Sequence, residues 1–315
     1  MKKSCSIVVP VYNSEKTLSQ LVERVEKALS PISDKFELIL VNDCSQDGSW
    51  DVITDLAKKK SWIVAINLRR NFGQHNALLC GIRIAKYAYT ITIDDDLQHP
   101  PEEIHKLLAE IDNGMDVVYG IPKKMPHSNW RNFFSKYTKL FLARSIGIPR
   151  VRNISAFRAF KTSLRDSFAN FNSPDVFIDA LLSWGTSRFG TVSVNEMPRA
   201  AGKSNYNLWK LVKMSLLILT GFSTAPLRFA SLIGFAFTLL GGVILLYVLI
   251  RYATEGSIPG FPFLASAITI FSGTQLFALG IFGEYLGHIF ERSSSRPSYL
   301  IDEIQKKDPK RKNAD

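Results

Sequence analysis

Cysteine is scarce in this chain, with three thiols, Cys5, Cys44 and Cys80, in 315 residues. So few, odd in number and widely spaced, they exclude a disulfide scaffold, offer no metal-ligand spacing and fit a reducing compartment. Glycine and proline are also few, 19 and 14, which excludes a collagenous or low-complexity chain. Acidic residues are outnumbered, 28 against 39 basic ones, for a formal charge of +11. No nucleic-acid recognition motif accompanies that excess, and the basic residues cluster beside apolar segments, so nucleic acid is not the expected partner. The first residues, MKKSCSIVVPVYNS, hold no apolar run long enough for a signal peptide.

Apolar residues are plentiful, 46% of the chain, and they are blocked rather than spread. Phe229 to Ile250 is 22 residues without a charge, and Phe261 to Gly283 is another 23. Each is long enough to carry a helix across a hydrocarbon core of about 30 Å. Arg251 to Gly260 is too short for a domain, so the expectation is a two-helix transmembrane hairpin, 227–252 and 261–288 within 227–290. Lys203, Lys210, Lys213 and Arg228 precede the first span, and Arg292, Arg296, Lys306 and Lys307 follow the second. Positive flanks stay inside, which makes this a multi-pass inner (plasma) membrane protein with both termini cytoplasmic. Residues 291–315 are then a cytoplasmic tail, whose end, KKDPKRKNAD, has the composition of a disordered, lipid-touching segment.

Residues 1–206 read as a cytoplasmic α/β domain. SIVVPVY, FELILVND, IVAINL and YTITIDDD are short β-branched runs, separated by helical patterns over Glu15–Leu29, Trp50–Lys60, Gln74–Lys86 and Pro101–Asn113. Alternation of this kind implies a largely parallel sheet covered on both faces, with ligands beyond the carboxyl ends of the strands. Tyr12 and Asn13, Asp43, Arg70 and Asn71, and Asp94 to Asp96 all fall at those ends. In ITIDDDLQHPP, extended alternation would put Asp94 and Asp96 on one face and Asp95 on the other. Two neighbouring carboxylates repel unless a cation separates them, and Mg²⁺ takes such oxygens together with substrate phosphates. Gln98 can add a carbonyl oxygen, so Asp94, Asp96 and Gln98 are the candidate metal ligands. A solvated, helix-capping acidic turn is the competing explanation for the same residues.

In ordered succession, SIVVPVYNSEKTL, FELILVNDCSQDGS, RNFGQHNALLCGI, DDDLQHPPE, GKSNYNLWKL, FSTAPLR and GEYLGHIFERSSSRPSY resemble the family 2 glycosyltransferases of the GT-A (Rossmann-like) fold. Within them the resemblance is to the polyprenyl-phosphate glycosyltransferases: dolichol-phosphate mannose synthase, bactoprenol glucosyltransferases and undecaprenyl-phosphate aminoarabinose-type transferases. It covers nearly the whole chain. It implies inverting transfer of a sugar from a nucleotide-sugar donor, a UDP-sugar by preference, to polyprenyl (undecaprenyl) phosphate, with Mg²⁺ or Mn²⁺, in cell-envelope glycan or lipopolysaccharide modification. Pro10, Tyr12 and Asp43 match positions that hold the base and ribose, and Ser14 and Asp95 join the donor-binding set. Asp94 to Asp96 and Gln98 match the diphosphate and metal positions, with Asp94 and Asp96 catalytic through the leaving group. Arg131 and Ser135 match residues near the lipid phosphate, where a guanidinium suits a phosphate; Arg131 joins the catalytic set. Arg199 and Lys203 match a basic loop over the donor, although basic residues before a span also serve lipid headgroups.

The chain departs from the pattern in places. Ala156 precedes Phe157 and Arg158 where many bactoprenol glucosyltransferases have Asp, Ser14 stands where Glu is frequent, and GKSNY replaces GESKY. A phosphate monoester is already anionic near neutral pH, so the acceptor needs positioning more than a base. Asn132 to Ile146 interleaves aromatic and basic residues, as an interfacial helix does (132–147), and 207–226 reads as a juxtamembrane amphipathic helix. A processive polysaccharide synthase and a noncatalytic membrane scaffold are the alternatives; the first lacks its Gln-x-x-Arg-Trp motif here, and the second is opposed by intact Asp94, Asp96, Gln98 and Arg131. The partners expected are therefore donor, lipid acceptor and membrane, with room for a homo-oligomer.

Overall fold

The computed structural model describes residues 3–123, 154–195, 224–255, 260–294 and 296–306. Two compact units divide the chain: Met1–Leu208 with Ser295–Asp315, and Trp209–Ser294.

The first unit is built on β1 (Lys3–Val11), β2 (Ser33–Asn42), β3 (Ile63–Leu68) and β4 (Tyr89–Thr92), with helices α1 (Glu15–Leu29), α2 (Ser49–Lys59) and α3 (Gln74–Ile84) as the connections. Cys5 to Val11 are all buried, the signature of a strand covered on both faces. On α1, Leu18, Leu21, Val22, Val25 and Leu29 recur at helical spacing and form its buried face. On α4 (Ile104–Asp112), Ile104, Leu107, Leu108 and Ile111 do the same. Helix α3 lies so close to the sheet that a Cβ on Gly81 would stand 2.4 Å from a Val8 methyl. Glycine is required there by space, and any side chain would push α3 off β1.

Among the described residues the sheet has eight strands in the order β7-β5-β6-β4-β1-β2-β3-β8, where β5 is Val117–Pro122, β6 is Arg158–Lys161, β7 is Phe189–Val194 and β8 is Ile301–Lys306. Parallel pairing links β4-β1-β2-β3, as the alternating pattern predicts, and also joins β5 to β7, which the pattern does not mark. The sheet is nevertheless mixed, because β6 runs antiparallel to β4 and β5, and β8 antiparallel to β3. Both exceptions are short. RAFK gives too brief a run to stand out, and IDEIQK, with three charged residues and only Ile301 and Ile304 apolar, lies on an exposed edge and reads as tail.

At the start of β6 the core holds an ion pair. Arg158 and Asp179, the latter on α5 (Ile178–Gly185), are each 2% exposed and in direct contact, and Tyr119 Oη donates to the same Asp179 Oδ1 at 2.8 Å. One carboxylate thus joins β5, β6 and α5. Asp116, just before β5, is gripped by Lys161 (2.8 Å), Thr186 (2.7 Å) and Arg188 (2.8 Å). Burial opposes its charge, yet those donors hold its carboxyl down at about 2.

The second unit contains α6 (Ala225–Glu255) and α7 (Phe261–Ser293), 31 and 33 residues long. Among the described residues one helix, Pro226–Thr254, is long and apolar enough to cross a membrane. Its large apolar side chains, among them Leu232, Phe235, Leu239, Val243 and Leu246, are exposed. Phe237 meets Phe271 of α7 edge to face, ring centroids 5.9 Å apart, beside Gly241.

Candidate active site

Strand β4 ends at Thr92, so Asp94 to Asp96 lie in the turn that follows rather than on an extended strand. The alternation argument therefore stops short of them, and their directions are set by their partners. Asp95 turns to β1: its Oδ2 accepts the Tyr12 N–H at 3.1 Å and the Ser14 hydroxyl at 2.5 Å, while its carbonyl accepts the Thr17 hydroxyl at 2.7 Å. Ser14 is the residue before α1, where a hydroxyl usually caps the helix; here it makes no cap bond and serves Asp95 instead. Asp94 Oδ1 accepts from Gln74 Nε2 at 2.7 Å. Asp96 Oδ1 accepts the Gln98 N–H at 3.1 Å, closing a tight turn over Leu97, whose φ is +62°. Gln98 thus enters the turn through its main chain.

Three carboxylates in succession carry an electrostatic strain. Burial raises the Asp95 carboxyl to about 6 against the Ser14 and Tyr12 hydrogen bonds, and the charges of Asp94 and Asp96 push the same way. A hard cation beside them would relieve that repulsion, and the all-oxygen set suits Mg²⁺ or Mn²⁺.

Asp43, at the end of β2, is 3% exposed. Its two oxygens accept the Phe72 and Gly73 N–H groups at 2.7 and 2.8 Å. Burial raises its carboxyl, with those two amides pulling the other way. Asp43 therefore anchors the loop between β3 and α3, a role not visible from its position at a strand end. Gly73 sits at φ +96° with open space around it, so glycine is needed for its backbone and not for room. Asn13 (φ +55°) and Cys44 (φ +56°) make the neighbouring turns, locked by Gln46 N–H to Asn13 Oδ1 at 2.8 Å and Ser45 Oγ to Asn42 Oδ1 at 2.6 Å.

Of the residues singled out from sequence, Tyr12, Ser14, Asp43 and Asp94 to Asp96 share one edge, joined by the bonds above. Tyr12 presents a side chain 46% exposed there. Pro10 lies two residues back, buried within β1 opposite Val41, and shapes the strand rather than an exposed surface. Arg131, Ser135, Arg199 and Lys203 lie outside the described residues, as do the segment 132–147 and most of 207–226. Ala156 is described: its carbonyl accepts the Thr92 hydroxyl at 2.6 Å at the end of β4. Sequence reasoning passed over Gln74 and Thr17; the signal for Gln74 was a polar side chain opening a helix right after a glycine.

Residues 6–169 match the model of the family described as "Glycosyl transferase family 2". The chain belongs to glycosyl transferase family 2. The transferase is 33% identical over 306 residues to an undecaprenyl-phosphate 4-deoxy-4-formamido-L-arabinose transferase of Pseudomonas savastanoi pv. phaseolicola, covering 96% of this chain and 91% of that one. A protein of the same name from Shewanella sediminis is 33% identical over 303 residues, 95% and 92% of the two chains. Among solved structures, glucosyl-3-phosphoglycerate synthase from Mycobacterium tuberculosis, in complex with Mn²⁺, UDP-glucose and phosphoglyceric acid, aligns with a TM-score of 0.50 at 19% identity. That alignment covers 69% of this chain and 78% of the synthase, and it shows the transferase to share the fold of a GT-A enzyme.

Proposed function

We propose that the transferase moves one sugar from a nucleotide-sugar donor to undecaprenyl phosphate, inverting the anomeric carbon. The observation that carries the reading is the polar edge itself: Asp94, Asp95 and Asp96 held against Tyr12, Ser14 and Gln74 where four strands end. The relatives' names, over nearly the full length of both chains, support the lipid phosphate as acceptor. The relatives' name supports a 4-deoxy-4-formamido-L-arabinose-type sugar, and the carrier proposed for it is UDP.

In the step proposed, an oxygen of the lipid phosphate attacks the anomeric carbon. The bond from that carbon to the donor diphosphate breaks, and the nucleoside diphosphate leaves with the electron pair. The attacking phosphate carries its charge already, so no proton need be removed and Ala156 withholds nothing the step requires. Asp94 and Asp96 would hold Mg²⁺ or Mn²⁺, with Gln98 at the same turn; the ion supplies charge neutralisation at the departing diphosphate. Asp95 orients the Tyr12–Ser14 turn, and Tyr12 offers an aromatic face to the base. Arg131 and Ser135 are proposed at the acceptor phosphate, Arg199 and Lys203 at the donor.

Membrane attachment is proposed through two crossings, with the sheet domain and both ends cytoplasmic. One point of topology supports the even number. Ile301–Lys306 pairs with β3, so a chain that leaves the sheet domain before the long helices rejoins it after them. A single crossing by α6 would strand β8 on the wrong side. A cysteine placed at Ser257 is expected to react with a membrane-impermeant maleimide in intact cells, and one placed at Ser294, just past the end of α7, only after permeabilisation. Equal labelling of both in intact cells would contradict the hairpin.

The function is tested with a panel of nucleotide sugars, Mn²⁺ and undecaprenyl phosphate, the lipid product being weighed by mass spectrometry. One donor is expected to give a lipid heavier by one sugar. Repeated addition to one acceptor would instead favour a processive synthase.

A further inference from the structure

The residues after α7 are built into the sheet domain at several points. Ser298 is 2% exposed, and its hydroxyl both donates to the Ser173 carbonyl (2.7 Å) and accepts the Ser173 N–H (3.2 Å). Its carbonyl accepts from Asn76 Nδ2 at 2.5 Å, and the same nitrogen reaches the Pro174 carbonyl at 2.9 Å. Asn76 is itself 6% exposed. Leu300 accepts the Arg69 N–H at 3.0 Å, Asp302 stands 3.3 Å from Arg69 Nε, and β8 then pairs along β3.

Apart from the Ser298–Ser173 pair, these attachments fall along β3, on Arg69 just after it and on the first turn of α3. The stretch from Arg69 into that turn also gives the Phe72 and Gly73 N–H groups to Asp43 and the Gln74 amide to Asp94. A primary amide has two hydrogens to donate, and Asn76 directs both at main-chain carbonyls from distant parts of the chain. Losing it takes a donor from the buried Ser298 carbonyl and the part-buried Pro174 carbonyl and leaves the first turn of α3 without its tie.

We infer that Arg296–Lys306 is a strap that positions the donor site, acting through Asn76 on the first turn of α3 and so on the Gln74 that meets Asp94. Asn76 is a positioning residue, and the inference rests on the donor-site reading above. The test uses full-length protein in detergent, UDP with Mn²⁺ as the probe, and amide hydrogen exchange. Asn76→Ala is expected to weaken UDP about tenfold, to raise the donor KM with kcat little changed, and to speed exchange over residues 69–74. Ser298→Ala keeps the carbonyl that Asn76 uses and loses only the Ser173 bonds. It is expected to lower the unfolding temperature while leaving UDP affinity within about twofold of the parent, because the tie to α3 is intact. If Asn76→Ala does not fold, Asn76→Ser retains one hydrogen and should show the same changes in smaller degree. Parent-like UDP affinity and parent-like exchange at 69–74 in the Asn76 variant would overturn the strap. If the parent itself fails to bind UDP, the donor reading falls, and exchange at 69–74 still decides the strap.

Discussion

Asp96→Asn is expected to lower kcat/KM for sugar transfer by about a thousandfold or more, a loss of roughly 4 kcal/mol of transition-state stabilisation. The reason is charge. An amide of the same shape keeps the Oδ1 that accepts the Gln98 N–H, so the turn over Leu97 persists. What disappears is one of the anionic oxygens that would hold a hard cation beside the departing diphosphate. Thermal unfolding of the variant should therefore stay near that of the parent while nucleotide release and formation of lipid-linked sugar collapse. Raising Mn²⁺ should recover a part of the rate if the defect is metal affinity. Turnover equal to the parent would remove Asp96 from the metal site, and Asp94→Asn, which keeps the acceptor for Gln74, is the companion measurement.

The second large effect concerns stability. Asp179→Ala is expected to cost about 3–5 kcal/mol, because it leaves the Arg158 guanidinium buried without its counter-charge. It also removes the acceptor of the Tyr119 hydroxyl. For a domain of this size that corresponds to a fall of roughly 10 °C in the unfolding temperature. Arg158→Met in the Asp179→Ala background should restore much of the loss, since removing both charges is far less costly than orphaning one. A fall under about 2 °C for Asp179→Ala alone would show that Arg158 finds solvent or another partner.

Different features were legible for different reasons. The four parallel strands and the helices between them follow from apolar period and punctuation; α1 and β3 keep the expected bounds, whereas β1 and β2 begin three residues earlier than their apolar runs and β4 stops at Thr92, four residues short of Asp96. The acidic turn stood out because three carboxylates after a buried strand are costly without a purpose. Asp43 was found for its place at a strand end, but its partners could not be, since Phe72 and Gly73 reach it only after α2 and β3 have folded back. Gln74 and Asn76 were passed over because amides opening a helix look like ordinary surface. Strand β8 was misread for the opposite cause: its charges mark an edge, and an isolated charged hexamer carries the same pattern as a solvated tail.

The amino-acid order alone determined the α/β class, the family, the apolar blocks at Phe229–Ile250 and Phe261–Gly283, and the candidate acidic edge, because each is written in local periodicity or in a short run of residues. The tertiary structure decided which carboxylate faces which neighbour, the antiparallel strands that make the sheet mixed, the Arg158–Asp179–Tyr119 cluster, and the return of β8 to β3 after the long helices. Each of those joins residues far apart in sequence, up to 222 positions for Asn76 and Ser298. Such contacts form only when burial brings polar groups together that must then satisfy one another, and no local pattern records that meeting.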